Sequence, residues 1–216
     1  MPQFWQKVLK ELSAHKYLLI ITITVICITT LWEEIIKDKI FPNNFGIVEQ
    51  GKIYRSGQID SFLLKKTLLK YNIKKIIALS GDTTTNKNKV AEKRLAAKLG
   101  IQRLVFPMPG NGVSDVNSYA DVIKEISLAY KEQKPILIHC DRGAQRTGGI
   151  IAAYRLIVQQ KDINAVHREL KRYGFRISKN VNLVEFLDKN MMKIAARLKQ
   201  LGVIDKVPDS IQAIKS

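Results

Sequence analysis

Cys140 and Arg146 stand six positions apart in the run His139-Cys140-Asp141-Arg142-Gly143-Ala144-Gln145-Arg146, which continues into Thr147-Gly148-Gly149. A cysteine thiolate is a nucleophile that attacks phosphorus without help from a base. An arginine guanidinium is a planar fork that grips two phosphate oxygens at once. An apolar stretch, Pro135–Ile138, precedes the pair, and a helical pattern, Ile150–Ile157, follows it. That order predicts a strand, a tight loop and a helix. A loop at a helix N-terminus turns free backbone N–H groups inward and adds the partial positive charge of the helix dipole, so it cradles an anion and stabilises a thiolate at Cys140. Gly143 and Gly148 let the backbone curl close to the anion. His139, at the strand end, braces the loop through a ring hydrogen bond, and Thr147 can hydrogen-bond the sulfur.

The pattern His-Cys-x5-Arg-Thr-Gly, complete at Cys140, Arg146 and Thr147, resembles the signature of the cysteine-dependent protein tyrosine and dual-specificity phosphatases. Gly51-Lys52-Ile53-Tyr54-Arg55-Ser56-Gly57-Gln58 and Pro109-Gly110-Asn111-Gly112 resemble the small atypical dual-specificity phosphatases of bacteria, fungi and plants, and the likeness runs over residues 45–190. It implies attack by Cys140 on a phosphate monoester, a phosphocysteine intermediate and hydrolysis by water, with neither metal nor cofactor. It also implies that Asp141, Arg142, Gly143, Ala144, Gln145 and Arg146 hold the phosphate, with Arg55 as a further contact. Two other readings compete: a buried, inert cysteine near a surface arginine, and a catalytically dead phosphate-binding module. The register of strand, glycines, Arg, Thr and helix disfavours the first, and the intact Cys140–Arg146 pair disfavours the second. The family's default substrate is a phosphoprotein. A lipid or inositol phosphate, such as phosphatidylglycerophosphate or a phosphoinositide, is the alternative.

The family implies an aspartate on a separate loop that protonates the leaving group. Asp115 is the expected acid, because no other acidic residue lies between Arg103 and Asp121. It lies closer to the cysteine than the family's acid does, and Phe106-Pro107-Met108-Pro109 stands where Trp-Pro-Asp would be. Asp115 also suits a helix cap. Asp82 and Asp141 are the other candidates.

These residues need a frame. Apolar runs predict strands at 47–55, 75–80, 102–107 and 135–139, and periodicity predicts helices at 60–70, 87–99, 116–132, 147–160, 162–173 and 180–200. Alternation of the two implies an α/β fold with a central, mostly parallel sheet flanked by helices, its site at the C-terminal ends of the strands. The expected organisation is a basic segment at 1–16, a transmembrane helix at 17–32, a linker at 33–44, a phosphatase domain at 45–200 and a C-terminal tail at 201–216.

The transmembrane expectation rests on Tyr17–Trp32, an uncharged run bounded by Lys16 and Glu33. Such a run spans ~24 Å as helix against a bilayer core of ~30 Å, a shortfall that a snorkelling Lys16 and interfacial Tyr17 and Trp32 would relieve. Lys7, Lys10 and Lys16 before it favour the N-terminus inside and the catalytic domain on the outer, periplasmic face of a single-pass membrane protein. The net charge of +17 favours anionic partners: phosphorylated protein, anionic lipid or inositol phosphate, and the membrane itself. Nucleic acid is not expected, because no basic stretch is interleaved with stacking aromatics. Two cysteines, Cys27 and Cys140, make no disulfide framework.

Overall fold

The computed structural model describes residues 2–31 and 40–215. These fall into two units, Met1–Phe41 and Pro42–Ser216. The first contains helix α1, Pro2–Leu31. Among the described residues no helix is long and apolar enough to cross a membrane. This overturns the expected transmembrane helix at 17–32, and with it the single-pass, outward-facing placement. The physical reason is length and composition. Tyr17–Leu31 rises only ~22 Å at 1.5 Å per residue, and four threonines interrupt it, each turning its hydroxyl back onto a helix carbonyl, as Thr22 does onto Leu18 at 2.8 Å. Trp32 and the linker as far as Lys39 lie outside the described residues.

The second unit is built on five strands: β1 Gly46–Glu49, β2 Ile53–Ser56, β3 Lys75–Ala78, β4 Gln102–Val105 and β5 Ile136–His139. Their spatial order is β1-β2-β5-β3-β4. β1 runs antiparallel to β2, and every other pairing is parallel. The single strand expected over 47–55 is thus two, because Gly51 turns the chain at φ +76°, a left-handed conformation that glycine takes without strain. Helices α2 Ser61–Lys70, α3 Lys87–Lys98, α4 Val116–Lys131, α5 Gln145–Ile157, α6 Ile163–Arg172 and α7 Val181–Gln200 complete the unit.

Side chains alternate across the pleat. Ile53, Ile77, Ile136 and Ile138 pack into the core shared with α4, α5, α6 and α7. Tyr54, Ile76 and Leu137 pack into a second core with Leu64 and Leu68 of α2 and Ala96 of α3. Central strand β5 is apolar on both faces, as a buried parallel strand must be. The segment expected as a tail folds back onto the domain: Ile214 is fully buried, and its N–H donates to Asp188 Oδ1 at 2.6 Å.

Candidate active site

Strand β5 delivers His139 at its end, and the loop 140–144 then curls into α5. Aspartate or asparagine side chains cap the first turns of α2, α3, α4 and α6. α5 begins after Ala144, which offers no side-chain cap. The amides of its first turn are therefore left for another acceptor, the arrangement that binds phosphate.

Cys140 is buried, and its sulfur accepts a hydrogen bond from the Gly143 N–H at 3.1 Å. That N–H points at the sulfur because Gly143 sits at φ +71°. A Cβ there would lie 2.4 Å from Gly57 N, so no side chain fits. Gly57 follows the last residue of β2, and the next N–H, of Gln58, donates to the Asp141 carbonyl at 3.0 Å. The loop is thus tied to the neighbouring strand. Asn44 ties it again, donating from Nδ2 to the carbonyls of Arg142 at 3.1 Å and Tyr173 at 2.9 Å.

Arg146 stands in the first turn of α5 directly after the loop, and its side chain is almost completely buried. Nη2 pairs with Asp141 Oδ2 at 2.6 Å, and Nη1 lies 3.5 Å from the carbonyls of Leu79 and Met108. Asp141 also pairs with Lys89 Nζ at 3.1 Å. Burial by itself would push the Asp141 carboxyl up, but hydrogen bonds from Arg146 and Lys89 hold it down at about 2. The Arg142 side chain is exposed at the loop's rim. Gln145 turns away to donate to Asn180 Oδ1 at 2.6 Å. Thr147 is buried, and its hydroxyl has no hydrogen-bond partner among the described residues, so the expected bond to the sulfur is not formed.

Arg55 differs from its expected role as a phosphate contact. It has no exposed surface at all. Nη2 donates to the Gly143 carbonyl at 2.8 Å, and the guanidinium stacks on the Tyr173 ring at 4.0 Å. Burial lowers its pKa to about 10, against the pull of Glu169. Arg55 therefore buttresses the loop's carbonyl side and presents nothing to a ligand arriving from solvent.

Asp115 is a helix cap in this structure. Oδ1 accepts from the N–H groups of Asn117 at 2.8 Å and Ser118 at 3.0 Å, and Oδ2 accepts from the Ser118 hydroxyl at 2.5 Å. These bonds, the Ser118 hydroxyl foremost, lower its pKa and favour the ionised form. An acid that must hold a proton is served by the opposite environment. Asp82 forms a two-pronged ion pair with Arg103 at 2.7 and 3.2 Å. All three aspartates considered as acid are committed to other partners.

Sequence reasoning missed two residues. Glu92, inside α3, is buried and gathers His139 Nε2 at 3.1 Å, Arg103 Nε at 2.8 Å and Gln58 Nε2 at 3.0 Å. It is the partner that braces His139. Lys89 sits one turn earlier and reaches both Asp141 and the Gly81 carbonyl. Their positions in a charged helix carried no signal. Beside Lys89 opens a recess of about 550 Å3 lined by Asp82, Thr83, Val90, Lys93, Arg94 and Ala97.

The model of the tyrosine phosphatase family matches residues 39–203 of this chain. The chain belongs to that family. It is a cysteine-dependent phosphatase, a hydrolase. Among curated relatives, it is 32% identical over 157 residues to the inositol diphosphatase DSP3 of Arabidopsis thaliana, covering 68% of this chain and 71% of that one. It is 30% identical over 177 residues to the inositol diphosphatase SIW14 of Saccharomyces cerevisiae, covering 79% of this chain. The aligned part spans only 60% of the yeast protein's length. The family fold is matched in solved structures: the Siw14 catalytic core superposes with a TM-score of 0.59 at 21% identity, over 76% of this chain and 94% of that one. TpbA of P. aeruginosa superposes with 0.59 at 20% identity, over 72% and 91%.

Proposed function

We propose that this phosphatase cleaves phosphate from leaving groups that depart without a proton, and that its substrates are inositol diphosphates. Cys140 Sγ attacks the terminal phosphorus. The S–P bond forms as the P–O bond to the inner phosphate breaks, and that phosphate leaves as an anion. Water then hydrolyses the S–P bond, releasing inorganic phosphate and restoring the cysteine. Arg146 and the loop amides hold the equatorial oxygens, where charge concentrates in the transition state.

The observation that carries this reading is the state of the carboxylates. Asp115 is capping a helix, Asp82 is paired with Arg103, and Asp141 is paired with Arg146 and Lys89. A phosphoanhydride needs no acid, because its leaving group is already a stable anion. An alkyl phosphomonoester does need one, and general acid catalysis contributes about 10²–10⁴-fold to such reactions. The curated relatives that act on inositol diphosphates point the same way.

The test is a comparison of kcat/KM for a diphosphoinositol polyphosphate, a phosphotyrosine peptide and a phosphoserine peptide, with Cys140→Ser as control. The diphosphate is expected to be fastest and phosphoserine slowest, with Cys140→Ser inactive yet still binding phosphate, and EDTA without effect. Equal rates on phosphoserine and the diphosphate would overturn the proposal.

A further inference from the structure

Arg146 already has an anion on it. Its Nη2 lies 2.6 Å from Asp141 Oδ2, whereas its carbonyl neighbours are 3.5 Å away and its Nε has no partner among the described residues. The closest ligand of the phosphate-gripping arginine is thus a carboxylate from the same loop. We infer that Asp141 is a built-in competitor for the phosphate site, one that Arg146 must release before it can grip a substrate and that sets which anions the loop accepts. This rests on the reading of the 140–146 loop as the phosphate site.

The two partners of Asp141 are arranged for such an exchange. Arg146 is nearly buried in the first turn of α5, while the Asp141 side chain is 48% exposed to solvent. Its other oxygen, Oδ1, is held by Lys89 at 3.1 Å, and Lys89 is itself anchored on the Gly81 carbonyl at 3.1 Å. When Arg146 turns to a phosphate, Asp141 keeps one cationic partner and is not left bare beside the incoming dianion. The carboxylate remains ionised across the neutral range, so the competition is constant there. An anion displaces it by offering what a carboxylate oxygen cannot: two oxygens for the guanidinium fork and a third for the amides at the start of α5. Phosphoryl groups meet that demand. Chloride and simple carboxylates do not, so Asp141 screens the loop against abundant small anions.

Asp141→Asn tests this directly, because it keeps the shape and removes the charge; Asp141→Ala serves as a second variant. Binding of inorganic phosphate, tungstate and acetate is measured by calorimetry on the full chain and on both variants. Both are expected to bind phosphate and tungstate more tightly by on the order of tenfold, the scale of couplings within one charge network, and to gain measurable acetate binding. Lys89→Met in the wild-type background is expected to weaken phosphate binding, and by less in the Asp141→Asn background. Unchanged or weaker phosphate binding in both Asp141 variants would overturn the inference and make Asp141 a support for Arg146 instead. No turnover enters this measurement, so failure on inositol diphosphates leaves it untouched. If the loop were not the phosphate site, Arg146→Lys would bind phosphate as the wild type does.

Discussion

At Asp115 both carboxylate oxygens are held by the first turn of α4, and the Ser118 hydroxyl and backbone amides keep the group ionised. Asparagine caps a helix about as well as aspartate. Asp115→Asn is therefore expected to leave kcat for nitrophenyl phosphate and for phosphoserine lowered equally and slightly, whereas a true acid would lose phosphoserine selectively. Asp115→Ala should lower stability by about 1 kcal/mol, the usual cost of a lost cap, seen as a reduced unfolding midpoint with kcat little changed. The Cys140–Arg146 pair was legible in the sequence because its chemistry is encoded in six consecutive steps of one loop. The duties of Asp141 and Arg55 were not. They depend on Lys89, Tyr173 and Glu169, which are distant in sequence and brought near only by the fold.

Helix α3 carries the least expected element of the site. Its composition reads as a solvated helix, yet Glu92 is buried on its inner face and joins His139 of β5 to Arg103 of β4. Burial by itself would raise the Glu92 pKa, but His139 and Arg103 hold it down at about 2. A carboxylate lowered in the folded state contributes stability that is complete above its ordinary value near 4.5 and is lost as pH falls towards 2. Glu92→Gln is expected to destabilise the fold by about 3 kcal/mol, the low end of breaking a buried pair, and to flatten the dependence of stability on pH in that window. Denaturant unfolding at pH 7, 4 and 3 checks both; a variant with the wild type's acid sensitivity would show that Glu92 is not the hub. Element positions were otherwise readable, since apolar periods and the caps Asp60, Asn86, Asp115 and Asp162 mark the helix starts. The split at Gly51 was missed although Glu49-Gln50-Gly51-Lys52 is a polar, glycine-containing break between the two apolar halves of 47–55.

Over the whole molecule, the charge of +17 acts on association more than on fold. If the substrate is polyanionic, kcat/KM for a diphosphoinositol polyphosphate should fall several-fold between about 50 and 200 mM salt, as screening shortens the reach of surface charge. The same change should affect nitrophenyl phosphate far less. Parallel slopes would mean that the basic surface takes no part in capture. The α/β class was legible from the alternation of elements, but the strand order was not, because pairing between distant strands leaves no local trace. That order has a kinetic consequence. The pairs β1-β2 and β3-β4 touch only through β5, which enters the chain last and lies between them. Until residues 136–139 arrive, the earlier strands are two separate ribbons with open edges, prone to pairing with other chains. The strand that completes the sheet also bears the nucleophile's loop, so a chain interrupted before it is no smaller phosphatase. Assembly of the fold and assembly of the reactive loop are a single event.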